Sequence, residues 1–405
     1  MRATPVDAPV PARLRALLDA RTDAARRFFG AEAERLASLC HRMAERFARG
    51  GRLLAVGGSP AAQSDVRHVA VEFVHPVIVG KRALPALAVG PPAGEVVLLA
   101  GADDIVIGFG CGRGGAGEVA RALREARAAG CLTVAFAAGT GAEWEFEPPA
   151  EDPFVRQELV ETLYHVLWEL VHVFFEHRGL LEGRVAGPRH DVGASSFLYP
   201  FLAERERDLD GVLADVRASI LMKSDEICEL RAQTLTDNAA ELEAAAQILR
   251  GAFERGRMLL ALGNGGSATD AMDLVADLRH PPGGGPRRAA LDLSADPAII
   301  TAISNDIGTE AIFLRQVIAY GRAGDVLVAL STSGNSANVI AALEHARRGG
   351  LATIAFVGYD GGRVLEERLA DQVIVTRSQH IPRIQEAQAT AYHSLCELVR
   401  GTSGP

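Results

Sequence analysis

Two histidines, a carboxylate and an amide stand at helical spacings in the first half of the chain. His68 and Glu72 are four residues apart, which puts them on one face of a helix. Gln157 and His165 are eight apart, slightly over two turns, so they also share a face. Where two such helices meet, two imidazoles, a carboxylate and an amide oxygen converge. That set suits a divalent metal such as zinc, although glutamine is an uncommon ligand. It also suits proton transfer with no metal at all. A lone buried histidine is ordinarily a core residue satisfied by a neighbour, so the weight rests on the four positions taken together.

The second half repeats the pattern with other residues. The stretch from Asp65 to Phe73 lines up with the stretch from Asp270 to Leu278. Each follows a Gly-Gly-Ser that ends an apolar run, Gly57-Gly58-Ser59 and Gly265-Gly266-Ser267. Near the end of each half a Gln-Glu pair precedes a histidine, as Gln157-Glu158 with His165 and Gln385-Glu386 with His393. The four matched positions therefore read His68, Glu72, Gln157 and His165 in the first copy, and Asp273, Asp277, Gln385 and His393 in the second. A period of about two hundred residues means a duplicated domain rather than a solenoid.

The second copy keeps what the first has lost. Gly263-Asn264-Gly265-Gly266-Ser267 lies between a strand and a helix, where glycines let backbone amides turn towards a ligand and the helix dipole favours an anion. Ser331-Thr332-Ser333-Gly334-Asn335-Ser336 follows the apolar run from Val326 to Leu330 at a second such junction. Either loop alone reads as ordinary turn and N-cap chemistry. Two of them at equivalent strand ends make a cradle for a phosphate dianion that needs no Lys or Arg. In the first copy, Ser59-Pro60-Ala61-Ala62-Gln63-Ser64 and Gly110-Cys111-Gly112-Arg113-Gly114-Gly115 stand in these places and read as degenerate turns.

The elements that must carry these groups alternate. In the first copy, helical sequence over 11–49 precedes a strand at 53–56, the helix bearing His68 and Glu72, strands at 104–109 and 132–136 around a helix at 118–129, and a closing helix at 153–176. In the second, a helical stretch over 212–255 precedes strands near 258–262, 289–293, 326–330, 353–357 and 372–375, and a last helix over 382–399. Short apolar strands alternating with helices imply a parallel α/β sandwich in each copy. The segment 179–211, rich in Gly, Pro, Arg and acidic residues, reads as a connector whose aromatic run at 195–202 packs onto one domain. The expected division is 1–178, 179–211 and 212–405.

The two hydroxyl- and glycine-rich loops resemble the sugar isomerase (SIS) domain, and within it the bacterial phosphoheptose isomerases, which act on sedoheptulose 7-phosphate. Ser304-Asn305-Asp306, Gly358-Tyr359-Asp360-Gly361-Gly362 and Arg383-Ile384-Gln385-Glu386 match that group too. The resemblance covers about 212–400 and continues more weakly over 14–176. It implies two SIS-like three-layer α/β sandwiches with parallel sheets, fused as a pseudo-dimer. It implies sugar-phosphate binding by Asn264, Gly265, Gly266, Ser267, Asp306, Ser331, Thr332, Ser333, Ser336 and Gln385. It makes Glu72 with His165, and Asp277 with His393, the acid/base pairs of an aldose–ketose interconversion. It allows zinc at His68, Glu72, Gln157 and His165, and it implies no nucleotide cofactor.

Asp277 is one methylene shorter than the glutamate the resemblance implies, and an offset of about 1 Å in proton transfer costs on the order of a hundredfold. The second copy is therefore expected to be slow, retuned or silent. Because isomerases of this type build sites between subunits, the loops of the second copy are expected to face the helices of the first. A homodimer with four SIS-like domains is the expected assembly. The alternatives are a non-catalytic sugar-phosphate sensor or assembly protein, and a metal-dependent activity centred on the first copy.

Bulk properties narrow the classes. The 405 residues suffice for two domains with full cores. A formal charge of −9 gives no support to a nucleic-acid partner or an anionic membrane. Five scattered cysteines without a CxxC pair argue against a disulfide framework and for a reducing cytoplasm. No apolar run approaches the roughly 20 residues of a membrane helix.

Overall fold

The computed structural model describes residues 12–77, 81–111, 117–176, 181 and 208–400. The connector at 179–211 lies outside these apart from Leu181 and 208–211, and so does its aromatic run. Gly112, Arg113, Gly114 and Gly115 of the first copy's second loop lie outside them as well. The chain divides into two compact units, Ala24–Asp225, and Met1–Asp23 with Glu226–Pro405.

The first unit is built on a five-stranded parallel sheet. Its elements run α1 (Ala12–Ala48), β1 (Leu53–Gly57), α2 (Pro60–Val74), β2 (Ala86–Val89), α3 (Val96–Leu99), β3 (Ile105–Phe109), α4 (Glu118–Ala128), β4 (Leu132–Ala135), β5 (Trp144–Glu145) and α5 (Pro153–Glu176). The sheet order is β2-β1-β3-β4-β5, with Leu53 opposite Ile105 and Ile105 opposite Leu132. β1, β3 and β4 are buried along their whole length, as strands covered by helices on both faces must be. Their continuous apolar runs made them readable. β2 is buried only at its two ends, Ala86 and Val89, and β5 is two residues long. These are the strands that the apolar-run reading passes over, because both are edges with little area to bury.

The second unit repeats the order: α6 (Leu209–Asp237), α7 (Ala239–Glu254), β6 (Leu259–Leu262), α8 (Gly266–Arg279), β7 (Ala290–Asp292), α9 (Pro297–Asp306), α10 (Ile312–Tyr320), β8 (Val326–Ser331), α11 (Ala337–Arg348), β9 (Ala352–Gly358), α12 (Gly362–Glu366), β10 (Gln372–Thr376) and α13 (Ile381–Arg400). The sheet order β10-β9-β8-β6-β7 is the same topology, all parallel. One face is closed by a core of Leu260, Leu262, Leu327, Val339, Leu343 and their neighbours. The helical stretch read as one piece is two, interrupted at Asn238. The Asn238 side chain explains the break. It donates to Thr234 O at 2.7 Å and to Val375 O at 3.0 Å, and accepts from Val375 N at 2.8 Å, so it spends its amide on the edge strand β10.

Each unit draws its leading helix from both copies. Residues 12–23 of α1 belong to the unit of the second sheet, where the buried Arg21 reaches Glu397 of α13 at 3.3 Å and Arg13 donates to the Glu397 carbonyl. The α6 residues up to Asp225 belong to the unit of the first sheet, where Lys223 pairs with the buried Glu169 of α5. All five cysteines are free thiols. Among the described residues no helix is long and apolar enough to cross a membrane.

Candidate active site

In a sheet of this order the strand order switches sides between the first and third strands, and ligands bind outside the carboxyl ends of those strands. In the second unit these are β6 and β8. The turn 263–267 leaves β6 and the turn 331–336 leaves β8, so the two hydroxyl- and glycine-rich loops stand side by side. Gly263 is required there by close approach. A Cβ on it would lie 2.2 Å from the carbonyl oxygen of Ser267. Gly334 is required twice over, with φ +63° and a virtual Cβ 2.2 Å from Gly361 O.

Internal hydrogen bonds shape the cradle. Ser331 Oγ accepts from Gly334 N at 3.1 Å, and Ser333 Oγ accepts from Asn335 N at 3.2 Å. Asn335 Oδ1 accepts from Arg363 N at 3.0 Å, joining the loop to α12. Asn264 and Asn338 exchange amide hydrogen bonds at 3.0 and 2.9 Å. Ser336 sits at the N-cap of α11, but its hydroxyl does not cap the helix. Thr332, Ser333 and Ser336 are half-buried, Asn264 and Gly265 are exposed, and Ser267 is buried in the first turn of α8. Asp306 stands apart from the turn that opens α9. It ends that helix, roughly 15 Å along the axis from the N-cap Asp296, exposed and bonded to the Asn305 side chain.

The first unit fills the equivalent place with its own side chains. Ser59 caps α2 by accepting from Ala62 N at 3.1 Å, and Pro60 takes the first helical position. Gln63 folds back to Gly57 O at 2.8 Å. The Ser59 hydroxyl and the Gln63 amide are thus engaged within their own turn.

The helix-borne groups behave the other way. α2 packs on α5 and brings three of the four expected side chains together. His68 Nε2 lies 3.4 Å from His165 Nε2 and 3.8 Å from Glu72 Oε1, and all three residues are at most 2% exposed. Burial first, and His165 second, push the His68 pKa well below its ordinary value, so it is a neutral imidazole. Gln157 is half-buried in the first turn of α5, two turns before His165.

In the second unit α8 and α13 build a tighter knot. His393 Nε2 is 3.1 Å from Asp273 Oδ2 and 3.4 Å from Asp277 Oδ2. Burial and then the neighbouring Asp273 carboxylate raise the Asp277 pKa to about 6, with His393 and Arg400 opposing. Gln385 is buried on the same helix as His393, one residue before Glu386, whose carboxylate meets Arg383 at 2.9 Å. Ligating atoms of His68, Glu72 and His165, and likewise of Asp273, Asp277 and His393, lie within 4.8 Å of one another.

Comparison with known proteins decides the family. Residues 224–358 match the SIS domain. Over 195 residues the chain is 40% identical to the phosphoheptose isomerase of Roseiflexus sp. (strain RS-1), covering 47% of this chain and 92% of that one. The chain belongs to the SIS-domain family. It is also 43% identical over 176 residues to the phosphoheptose isomerase of Citrifermentans bemidjiense, covering 42% of this chain and 89% of the relative. The C-terminal domain of glucosamine-fructose-6-phosphate aminotransferase from Francisella tularensis superimposes with a TM-score of 0.59 at 11% identity, covering 98% of this chain and 97% of that one. At that identity the likeness is one of fold, and it extends over both SIS-like units.

Two participants in these SIS units escape a reading by four positions. Tyr164 and Tyr392 directly precede the two histidines. Tyr164 Oη lies 3.0 Å from His68 Nδ1, and Tyr392 Oη donates to Asp273 Oδ2 at 2.9 Å. The repeated Tyr-His pair was the signal. Asn338 is the other omission, an asparagine in the first turn after the cradle.

Proposed function

We propose that the chain is a phosphosugar isomerase that interconverts an aldose and a ketose, with a substrate like sedoheptulose 7-phosphate. The observation that carries the reading is the buried trio of Glu72, His68 and His165, with a carboxylate and two imidazoles in mutual reach. The isomerase relatives and the paired loops of the second unit support it. Isomerisation needs a base at the carbon next to the carbonyl and an acid at the carbonyl oxygen. One carbon-bound proton leaves, an enediol forms, and a proton returns to the neighbouring carbon while one hydroxyl proton passes between the two oxygens. Glu72 and His165 are the pair assigned to these transfers. Burial excludes water and strengthens the field that each group exerts on the other.

The same trio fits a divalent metal. Zinc bonds of about 2.0–2.2 Å set tetrahedral ligands roughly 3.3–3.6 Å apart, and the trio's separations of 3.4 and 3.8 Å are near that. Neutral His68, His165 and the Glu72 carboxylate would hold the ion, with Gln157 the fourth candidate. Zinc would supply Lewis-acid polarisation of a carbonyl oxygen. Metal and proton transfer would draw on the same atoms of Glu72 and His165, so metal content separates the two forms of the proposal. The assembly proposed is a homodimer, with a solution mass twice the 42.9 kDa of one chain.

The knot in the second unit favours a second reading for that half, a sugar-phosphate receptor. His393 Nε2 faces both aspartates, and Asp277 falls a methylene short. Incubation with sedoheptulose 7-phosphate, followed by NMR, tests between them. Aldose formation supports the isomerase. Binding without turnover supports the receptor.

A further inference from the structure

His68 offers the first cluster only one of its two nitrogens, and a tyrosine holds the other. The rings of His68, Tyr164 and His165 form a triangle with centroids 5.4, 5.0 and 5.0 Å apart, each pair edge to face. Tyr164 is 1% exposed and rests edge-on against Phe109, 6.0 Å between centroids. The end of β3 therefore buttresses the ring on a side away from the histidine triangle's own contacts. From there its hydroxyl reaches His68 Nδ1, while Nε2 faces His165 and Glu72.

The second unit repeats the device with a different client. Tyr392, also 1% exposed, rests edge-on against Phe356 and donates to Asp273, which replaces His68. A carboxylate can only accept, so Tyr392 is the donor there. Where a neutral imidazole presents its Nε2 lone pair to a ligand, its proton sits on Nδ1 and the partner of Nδ1 must accept. A hydroxyl does both. A single residue type at this position thus suits a histidine in one copy and an aspartate in the other.

We infer that Tyr164 is a positioning residue: its oxygen accepts the Nδ1 proton of His68 and so dedicates the Nε2 lone pair of His68 to the cluster. Tyr392 does the corresponding work for Asp273 by donating. Partners of this kind fix the tautomer and ring orientation of a ligating histidine, and their loss typically costs 10–100-fold in metal affinity. The affinity arm of the test rests on the proposed metal site in the first unit. The tautomer arm does not.

The experiment uses the full chain, labelled with nitrogen-15 and stripped of metal by chelator. A long-range proton–nitrogen spectrum reads the tautomer of each histidine, with His68 identified by the signals lost in His68→Gln. The expected wild-type result is His68 protonated on Nδ1. Tyr164→Phe, which keeps the ring against Phe109, is expected to give a mixture of tautomers and zinc binding weaker by about 10–100-fold in chelator competition. Tyr392→Phe is expected to leave the His68 signals in place. Wild-type His68 protonated on Nε2 would overturn the inference without any variant. So would Tyr164→Phe with unchanged His68 nitrogen shifts. A wild type that binds no zinc but passes the tautomer test would sink the metal proposal and leave the positioning role standing.

Discussion

Asn264 and Asn338 grip each other by two side-chain hydrogen bonds, 3.0 and 2.9 Å long, across the carboxyl ends of β6 and β8. The pair ties the turn after β6 to the first turn of α11, so the two hydroxyl- and glycine-rich loops hold a common spacing. Asn264→Ala should release the turn after β6. Because Asn264 is exposed, the stability cost should stay near 1 kcal/mol. Sugar-phosphate affinity, measured by calorimetry, should fall about tenfold, equivalent to roughly 1.4 kcal/mol. Unchanged affinity would remove the pair from the binding machinery.

The serines of the two units should respond differently. Ser59 caps α2, so Ser59→Ala should cost about 1 kcal/mol of stability and leave sugar-phosphate affinity unchanged. Ser333→Ala in the second unit should do the reverse, weakening binding severalfold with a smaller effect on unfolding. Denaturation and calorimetry on both variants check the contrast.

Metal content tests the first cluster. Wild-type protein should carry about one zinc-like ion per chain, and His165→Ala should lose it. Elemental analysis of both gives the answer. Retention of metal in the variant would place the ion elsewhere.

Asp277 predicts a pH dependence of stability. Its carboxyl is raised to about 6 in the folded chain, so folding favours the protonated form. That contribution is complete below the ordinary carboxylate range, near pH 4, and is lost as the pH rises through about 6. Asp277→Asn, which resembles the protonated acid, should be more stable than wild type at pH 7.5. The gap should close by about pH 4. A gap that stays constant across this window would contradict the raised pKa.

The sequence revealed what repeats and what is buried. Central strands such as β1 and β3 were legible because burial on both faces demands an unbroken apolar run. The edge strands β2 and β5 were not, since little of either is buried. Within the cluster, the spacing of His68 and Glu72 on one helix foretold their common face. Their meeting with His165 depends on α2 packing against α5, and the resemblance supplied that expectation rather than the spacing. The role of Tyr164 was hidden for another reason: neighbours in a helix point about 100° apart, so a residue next to His165 gives no sign that it reaches the same imidazole.

If the chain is an isomerase, the buried carboxylate and imidazoles of the first unit perform the aldose–ketose interconversion. The most direct measurement is the turnover of sedoheptulose 7-phosphate by wild type, Glu72→Gln and Asp277→Asn, each checked for folding. Wild type is expected to turn over, with kcat falling about a hundredfold or more in Glu72→Gln and less than about tenfold in Asp277→Asn. A wild type that binds the sugar phosphate without converting it, or a Glu72→Gln variant as fast as wild type, would contradict the isomerase reading.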